Sequence, residues 1–97
     1  MVSTLKVSLI QADLVWHDAA ANRSRLEGLL APLAGRTDLV VLPEMFTTGF
    51  TMEPQSIAEI AAGPSVDWLR AQAAKLGAVI TGSIATKDGD RYFNRLI

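Results

Sequence analysis

Apolar positions recur along the chain at two different spacings, and the alternation between them outlines the fold. Leu5-Lys6-Val7-Ser8-Leu9-Ile10-Gln11 alternates and then thickens in aliphatic residues, which predicts a strand. Asn22, Leu26, Leu29, Leu30 and Leu33 then fall at helical spacing; the four leucines make one stripe, and Arg23, Arg25 and Glu27 lie off it. Asp18 or Asn22 can cap this helix, because a side-chain oxygen accepts from the first free backbone N–H groups. Gly35 suits a left-handed residue at its end, and Pro32 predicts a kink or an early stop in the last turn. Asp38 to Leu42 is a second strand, with four consecutive aliphatic residues expected to be buried.

From Thr47 to Gly63 the pattern weakens. Pro54, Ser56 and Gly63-Pro64 bracket a loop with one helical turn expected over Ile57-Ala58-Glu59-Ile60. A second helix is predicted from Pro64-Ser65, with proline in the first turn and Ser65 able to cap. Val66, Leu69, Ala73 and Leu76 form its apolar face, and Gly77 closes it. Ala78 to Ala85 reads as one further buried strand, and Asp88-Gly89 turns tightly into a last strand from Arg91 to Ile97.

The order strand, helix, strand, helix, strand, strand predicts an α/β fold with parallel pairing, right-handed crossovers and a final antiparallel hairpin. Ligands of such sheets collect at the carboxyl ends of the strands. Glu44 follows the second strand across Pro43, at such an end, with Met45, Phe46, Gly49 and Phe50 behind it in what is expected to be an apolar setting. That places one carboxylate where general acid–base chemistry is done.

Composition narrows the functional classes. At 97 residues the chain forms one small domain at most, and 49% hydrophobic residues place it among folded globular proteins. A net charge of −1, with no block of like charges, argues against nucleic acid or an anionic membrane as partner. No apolar run is long enough to cross a bilayer, and the start Met1-Val2-Ser3-Thr4-Leu5-Lys6 lacks signal-peptide character. The absence of cysteine removes a disulfide framework and a thiolate metal site, which fits a cytoplasmic setting. The last residues, Tyr92 to Ile97, resemble a strand in progress that ends on two large aliphatic side chains. This favours a larger fold truncated after Ile97 over a short domain with a buried final strand.

Competing motifs are weak. The first strand runs into Gln11-Ala12-Asp13 with no glycine-rich loop, which disfavours a dinucleotide fingerprint, a phosphate cradle and hence a small flavodoxin-like nucleotide binder. His17 is the single histidine, and a structural role near a helix start outweighs a metal site built with Asp13 and Asp18. Trp16 and Trp68 are expected as core or interface aromatics. Ser83 follows Gly82 outside any nucleophile-elbow pattern. Lys75 and Lys87 are expected to be solvated. Glu44 also has a plain structural role open to it, capping the next turn or pairing with Arg91 or Arg95, because one carboxylate alone does no chemistry.

Leu42-Pro43-Glu44-Met45-Phe46-Thr47-Thr48-Gly49-Phe50 resembles the first catalytic motif of the nitrilase superfamily of carbon–nitrogen hydrolases. The opening Lys6 to Asp13 with Trp16, the Gly63-Pro64 helix start, and Gly82-Ser83-Ile84 followed by Tyr92-Phe93-Asn94-Arg95-Leu96 resemble the same family in order. The continuation Met45 to Phe50 is most similar to its omega-amidase branch, which deamidates monoamides of short dicarboxylic and 2-oxo dicarboxylic acids. The resemblance implies the N-terminal part of a four-layer α-β-β-α sandwich and a glutamate–lysine–cysteine triad. It implies no metal or cofactor, a small-molecule amide as substrate and a homo-oligomer at full length. Glu44 stands at the position of the general base, and Met45, Phe46 and Phe50 are expected beside the substrate, with loop packing as their plain alternative. The lysine and cysteine of the triad follow the region corresponding to Ile97. The 97-residue polypeptide is therefore expected to be inactive by itself. A truncated hydrolase-like domain used as a binding or assembly module is the non-enzymatic alternative.

Overall fold

The structure, a computed structural model, describes residues 3–97. Its elements are β1 (Val7–Leu9), α1 (Ala19–Leu30), a 3-10 turn (Ala31–Leu33), β2 (Leu39–Val41), a second 3-10 turn (Pro54–Ser56), β3 (Glu59–Ile60), α2 (Pro64–Leu76), β4 (Val79–Thr81), β5 (Ser83–Asp88) and β6 (Arg91–Leu96). β1, β2 and β4 form a parallel sheet in that order, with Val7, Leu39 and Val79 in register. β3, β5 and β6 form a second sheet, in which β3 runs parallel and β6 antiparallel to β5. The predicted α/β class and the final hairpin are both present.

Each helix begins and ends for a local reason. Asp18, not Asn22, caps α1: its Oδ1 accepts from the Ala21 N–H at 3.0 Å. Pro32 lacks an N–H and cannot continue an α-helix, so α1 stops at Leu30 and tightens into the 3-10 turn. Asn22, Leu26 and Leu30 form its buried stripe, whereas Leu29, expected on that stripe, is half exposed. α2 is capped differently from the expectation. Gly63 is its N-cap and Ser65 lies inside the helix, fully buried. The free N–H of Ser65 donates to Glu59 Oε1 (2.8 Å), its hydroxyl donates to Glu59 Oε2, and Arg23 of α1 donates to the same hydroxyl (3.0 Å). The Glu59 carboxylate, from outside the helix, therefore supplies the cap and ties both helices to β3. Gly77, at φ 65, closes α2 in the left-handed region.

Two elements differ from the sequence reading. The run Ala78 to Ala85 is not one strand: it breaks at Gly82, and β4 and β5 belong to different sheets. The region expected to hold a helical turn over Ile57–Ile60 instead has its 3-10 turn three residues earlier, at Pro54–Ser56. Glu59 and Ile60 then pair in parallel with Thr86 and Lys87.

The core lies between the helices and one face of the parallel sheet. Leu26 and Leu30 of α1 and Leu69 and Leu76 of α2 pack with Val40, Leu42, Phe46 and Ile84. Because alternate residues of a strand face opposite sides, Val40 and Ile80 point to the helices and Val7, Leu9 and Val79 point away. That other face is open: Leu9 is 76% exposed and Val79 64%.

Candidate active site

Glu44 sits where the sequence placed it, just beyond the carboxyl end of the central strand β2. The chain leaves β2 through Leu42 and Pro43 and turns over residues 44–48. Met45, directly after the acid, adopts φ 48, a left-handed conformation costly for a residue with a Cβ. The surroundings hold it there. The Met45 N–H donates to Ser83 Oγ (2.8 Å) and the Phe46 N–H to the Ser83 carbonyl (3.2 Å), while the Met45 carbonyl accepts from Gly49 (2.8 Å).

Two further segments grip the same turn. Asn22 reaches from α1 to donate to the Thr47 carbonyl at 2.8 Å. The same side chain accepts from the Val15 N–H and donates to the Val15 carbonyl, both at 2.7 Å. The His17 N–H donates to the Thr48 carbonyl (2.8 Å), and its Nε2 shares a hydrogen bond with Thr51 Oγ1 (2.8 Å). Trp16 stacks on His17 with ring centroids 3.4 Å apart and donates from Nε1 to the Phe50 carbonyl (3.1 Å). His17 thus has a structural role, and among the described residues no group of His, Cys, Asp and Glu is arranged to hold a metal.

The carboxylate itself is exposed and not enclosed by apolar side chains, which differs from the setting expected for it. Neither Arg91 nor Arg95 pairs with it. Asn94 of β6 donates from Nδ2 to Glu44 Oε1 at 2.9 Å. The alternation of β6 explains the choice: Arg91, Phe93 and Arg95 share one face, and Asn94 lies on the other. Arg95 lies over the Phe93 ring at 5.0 Å.

The three side chains expected beside a substrate divide. Met45 and Phe50 border a cavity of about 230 Å³, shared with Met52, Tyr92, Phe93 and Asn94. Phe46 does not reach it. Its ring is completely buried in the core, 5.7 Å from Trp68 and against Gly82, so Phe46 anchors the turn from below. The contributions of Ser83, Asn94 and Asn22 are absent from the sequence reading. Asn22 carried a signal, as a polar residue on a leucine stripe, and Asn94 another, as the one amide in an aromatic–basic strand.

The chain is similar along nearly its whole length to proteins of one family. The family model described as "Carbon-nitrogen hydrolase" matches residues 6–97. The chain is 43% identical to omega-amidase YafV of Yersinia enterocolitica over 96 residues, covering 99% of this chain and 37% of that protein. It is 40% identical to omega-amidase YafV of Escherichia coli K12 over 93 residues, covering 96% and 36%. In three dimensions it superposes with a TM-score of 0.93 on XC1258 of Xanthomonas campestris, described as a CN-hydrolase superfamily protein with an arsenic adduct in its active site. The identity there is 50%, over 98% of this chain and 36% of that one. The chain thus spans about a third of the length of the relatives it matches. A match over nearly every residue, with an acid-bearing turn at the end of a parallel strand, leaves one assignment: the chain belongs to the carbon–nitrogen hydrolase family.

Proposed function

We propose that the full-length protein is an omega-amidase that hydrolyses monoamides of short dicarboxylic and 2-oxo dicarboxylic acids, with Glu44 as its general base. In this reading residues 1–97 are the N-terminal portion of the catalytic domain, and the lysine and cysteine of the triad come from chain beyond Ile97. The observation that carries the reading is the presentation of Glu44. An exposed carboxylate stands at the carboxyl end of the central parallel strand, on a turn fixed by Ser83, Asn22 and His17, next to a cavity sized for a small acid amide. The likeness to two omega-amidases supports the substrate class.

The chemistry follows from what one base can do twice. Glu44 takes the thiol proton as sulfur attacks the amide carbon, and the proton passes to nitrogen as the C–N bond breaks and ammonia leaves. Glu44 then takes a proton from water, whose oxygen attacks the thioester, and the acid departs as the thiol is restored. The lysine stabilises the oxyanion formed in each step. Met45 and Phe50, at the cavity wall, contact the substrate's carbon chain.

Ammonia release from a dicarboxylic monoamide by the full-length protein tests this reading. Glu44→Gln keeps the shape and removes the base, and is expected to lower kcat by about 10²- to 10⁴-fold. The 97-residue polypeptide alone is expected to release none. Turnover by that polypeptide, abolished by Glu44→Gln, would overturn the division of the triad. An inactive full-length protein would favour the binding-module alternative.

A further inference from the structure

Glu44 leaves the parallel sheet, yet its carboxylate and the N–H of the next residue are both held by the second one. We propose that the β5–β6 hairpin aims the base: Asn94 holds one carboxylate oxygen while Ser83 holds the turn beneath it, so that Oε2 is the oxygen presented for proton transfer. Asn94 is thereby a positioning residue. The inference rests on the general-base reading of Glu44.

The strand register brings these groups together. Ser83 faces Leu96 and Ala85 faces Asn94 across the antiparallel pair, so Ser83, Ala85 and Asn94 project from one face of the hairpin, Ser83 and Asn94 as diagonal neighbours. Ser83 Oγ takes the Met45 N–H (2.8 Å) and Asn94 Nδ2 gives to Glu44 Oε1 (2.9 Å), so consecutive residues of the turn are held by that one face. Ala85 between them is buried, ends in a methyl group and lines the same cavity as Met45.

The chemistry of the donor matters as much as its place. A carboxylate only accepts, so the amide must turn its N–H toward it, and a donor to a charged group is stronger than one between neutral groups. An amide also orients without adding charge, whereas an arginine from the opposite face would form an ion pair with the base. With Oε1 occupied and the Met45 backbone fixed, rotation of the carboxylate is restricted and Oε2 has a defined direction. Preorganisation of this kind acts on the reacting geometry and not on the affinity for substrate.

The test is a double-mutant cycle on the full-length protein with a dicarboxylic monoamide as substrate. Asn94→Asp keeps the size and cannot donate when ionised; Asn94→Leu removes hydrogen bonding altogether. Both are expected to lower kcat about 10- to 100-fold with KM changed by no more than about twofold. In the Glu44→Gln background the same substitutions are expected to cost nothing more, because there is no base left to aim. Wild-type kcat in Asn94→Leu, or a loss that persists undiminished in the Glu44→Gln background, overturns the proposal and leaves the general base intact. If Glu44→Gln itself retains full activity, the general-base reading fails and this inference falls with it.

Discussion

Asn22 is completely buried in a helix stripe otherwise made of leucines, and it makes three hydrogen bonds there, to both backbone groups of Val15 and to the Thr47 carbonyl. By hydrophobic pattern alone, leucine is the better residue at this position. The structure predicts the opposite outcome. Asn22→Leu removes the partner of the buried Thr47 carbonyl and of the two part-buried backbone groups of Val15, and a buried group left without a partner costs about 1–3 kcal/mol. A loss of about 1–3 kcal/mol is expected in urea denaturation, together with a lower rate of the proposed amide hydrolysis in the full-length protein, since the Thr47 carbonyl belongs to the Glu44 turn. A variant as stable as the wild type would mean that these backbone groups find other partners. Spacing made the position of Asn22 legible but not its task, because its partners lie seven residues before it and 25 after it. Glu44 shows the same division. Its place at a strand end followed from the apolar run before it. Its exposure and its partner Asn94, 50 residues away, depend on how a second sheet folds back.

At the scale of elements, helices and single strands were legible because their causes are local: Asp18 as cap, Pro32 as the stop of α1, Gly77 as the end of α2, and Gly89 (φ 60) in the hairpin turn. The division of the run Ala78 to Ala85 was not, since its aliphatic and small residues suit either one strand or two. Its single clue is Gly82, and glycine inside a strand marks a bend or a close approach. Here it is a close approach. A Cβ at Gly82 would lie 2.8 Å from Phe46 Cδ1 and 3.0 Å from Leu42 Cβ, so the glycine lets the Glu44 turn sit directly on the junction between β4 and β5. Gly82→Ala is therefore expected to push Phe46 from its site and to destabilise by about 1–3 kcal/mol, the range for overpacking a filled core. That loss of stability should be relieved in part by Phe46→Leu, which makes room for the added methyl. Chemical denaturation of the single and double variants measures both effects, and an undisturbed Gly82→Ala protein would show that Phe46 yields without cost.

For the molecule as a whole, the decisive feature is a parallel sheet covered on one face only. Parallel sheets are ordinarily buried on both sides. Here α1 and α2 cover one, while Val7, Leu9 and Val79 on the other are all substantially exposed. The described residues are also drawn out, extending 50 × 23 × 19 Å with a radius of gyration of 13.9 Å, against about 13 Å for a compact domain of about 100 residues. Contiguous exposed aliphatic groups of this kind favour association over solvation. The 97-residue polypeptide produced by itself is accordingly expected to self-associate at micromolar concentration, with sedimentation coefficients that rise with concentration and rise further in sulfate, which strengthens apolar burial. Moderate sodium chloride should not disperse it, because ion pairing does not drive the contact and the net charge is only −1. Leu9→Lys puts a charge on the open face at a side chain already 76% exposed, and is expected to shift the distribution toward monomer without loss of helical signal. A species that stays monomeric and melts cooperatively across this concentration range would show that the open face is stable in water. The apolar strands would then have to be explained without a second layer resting on them.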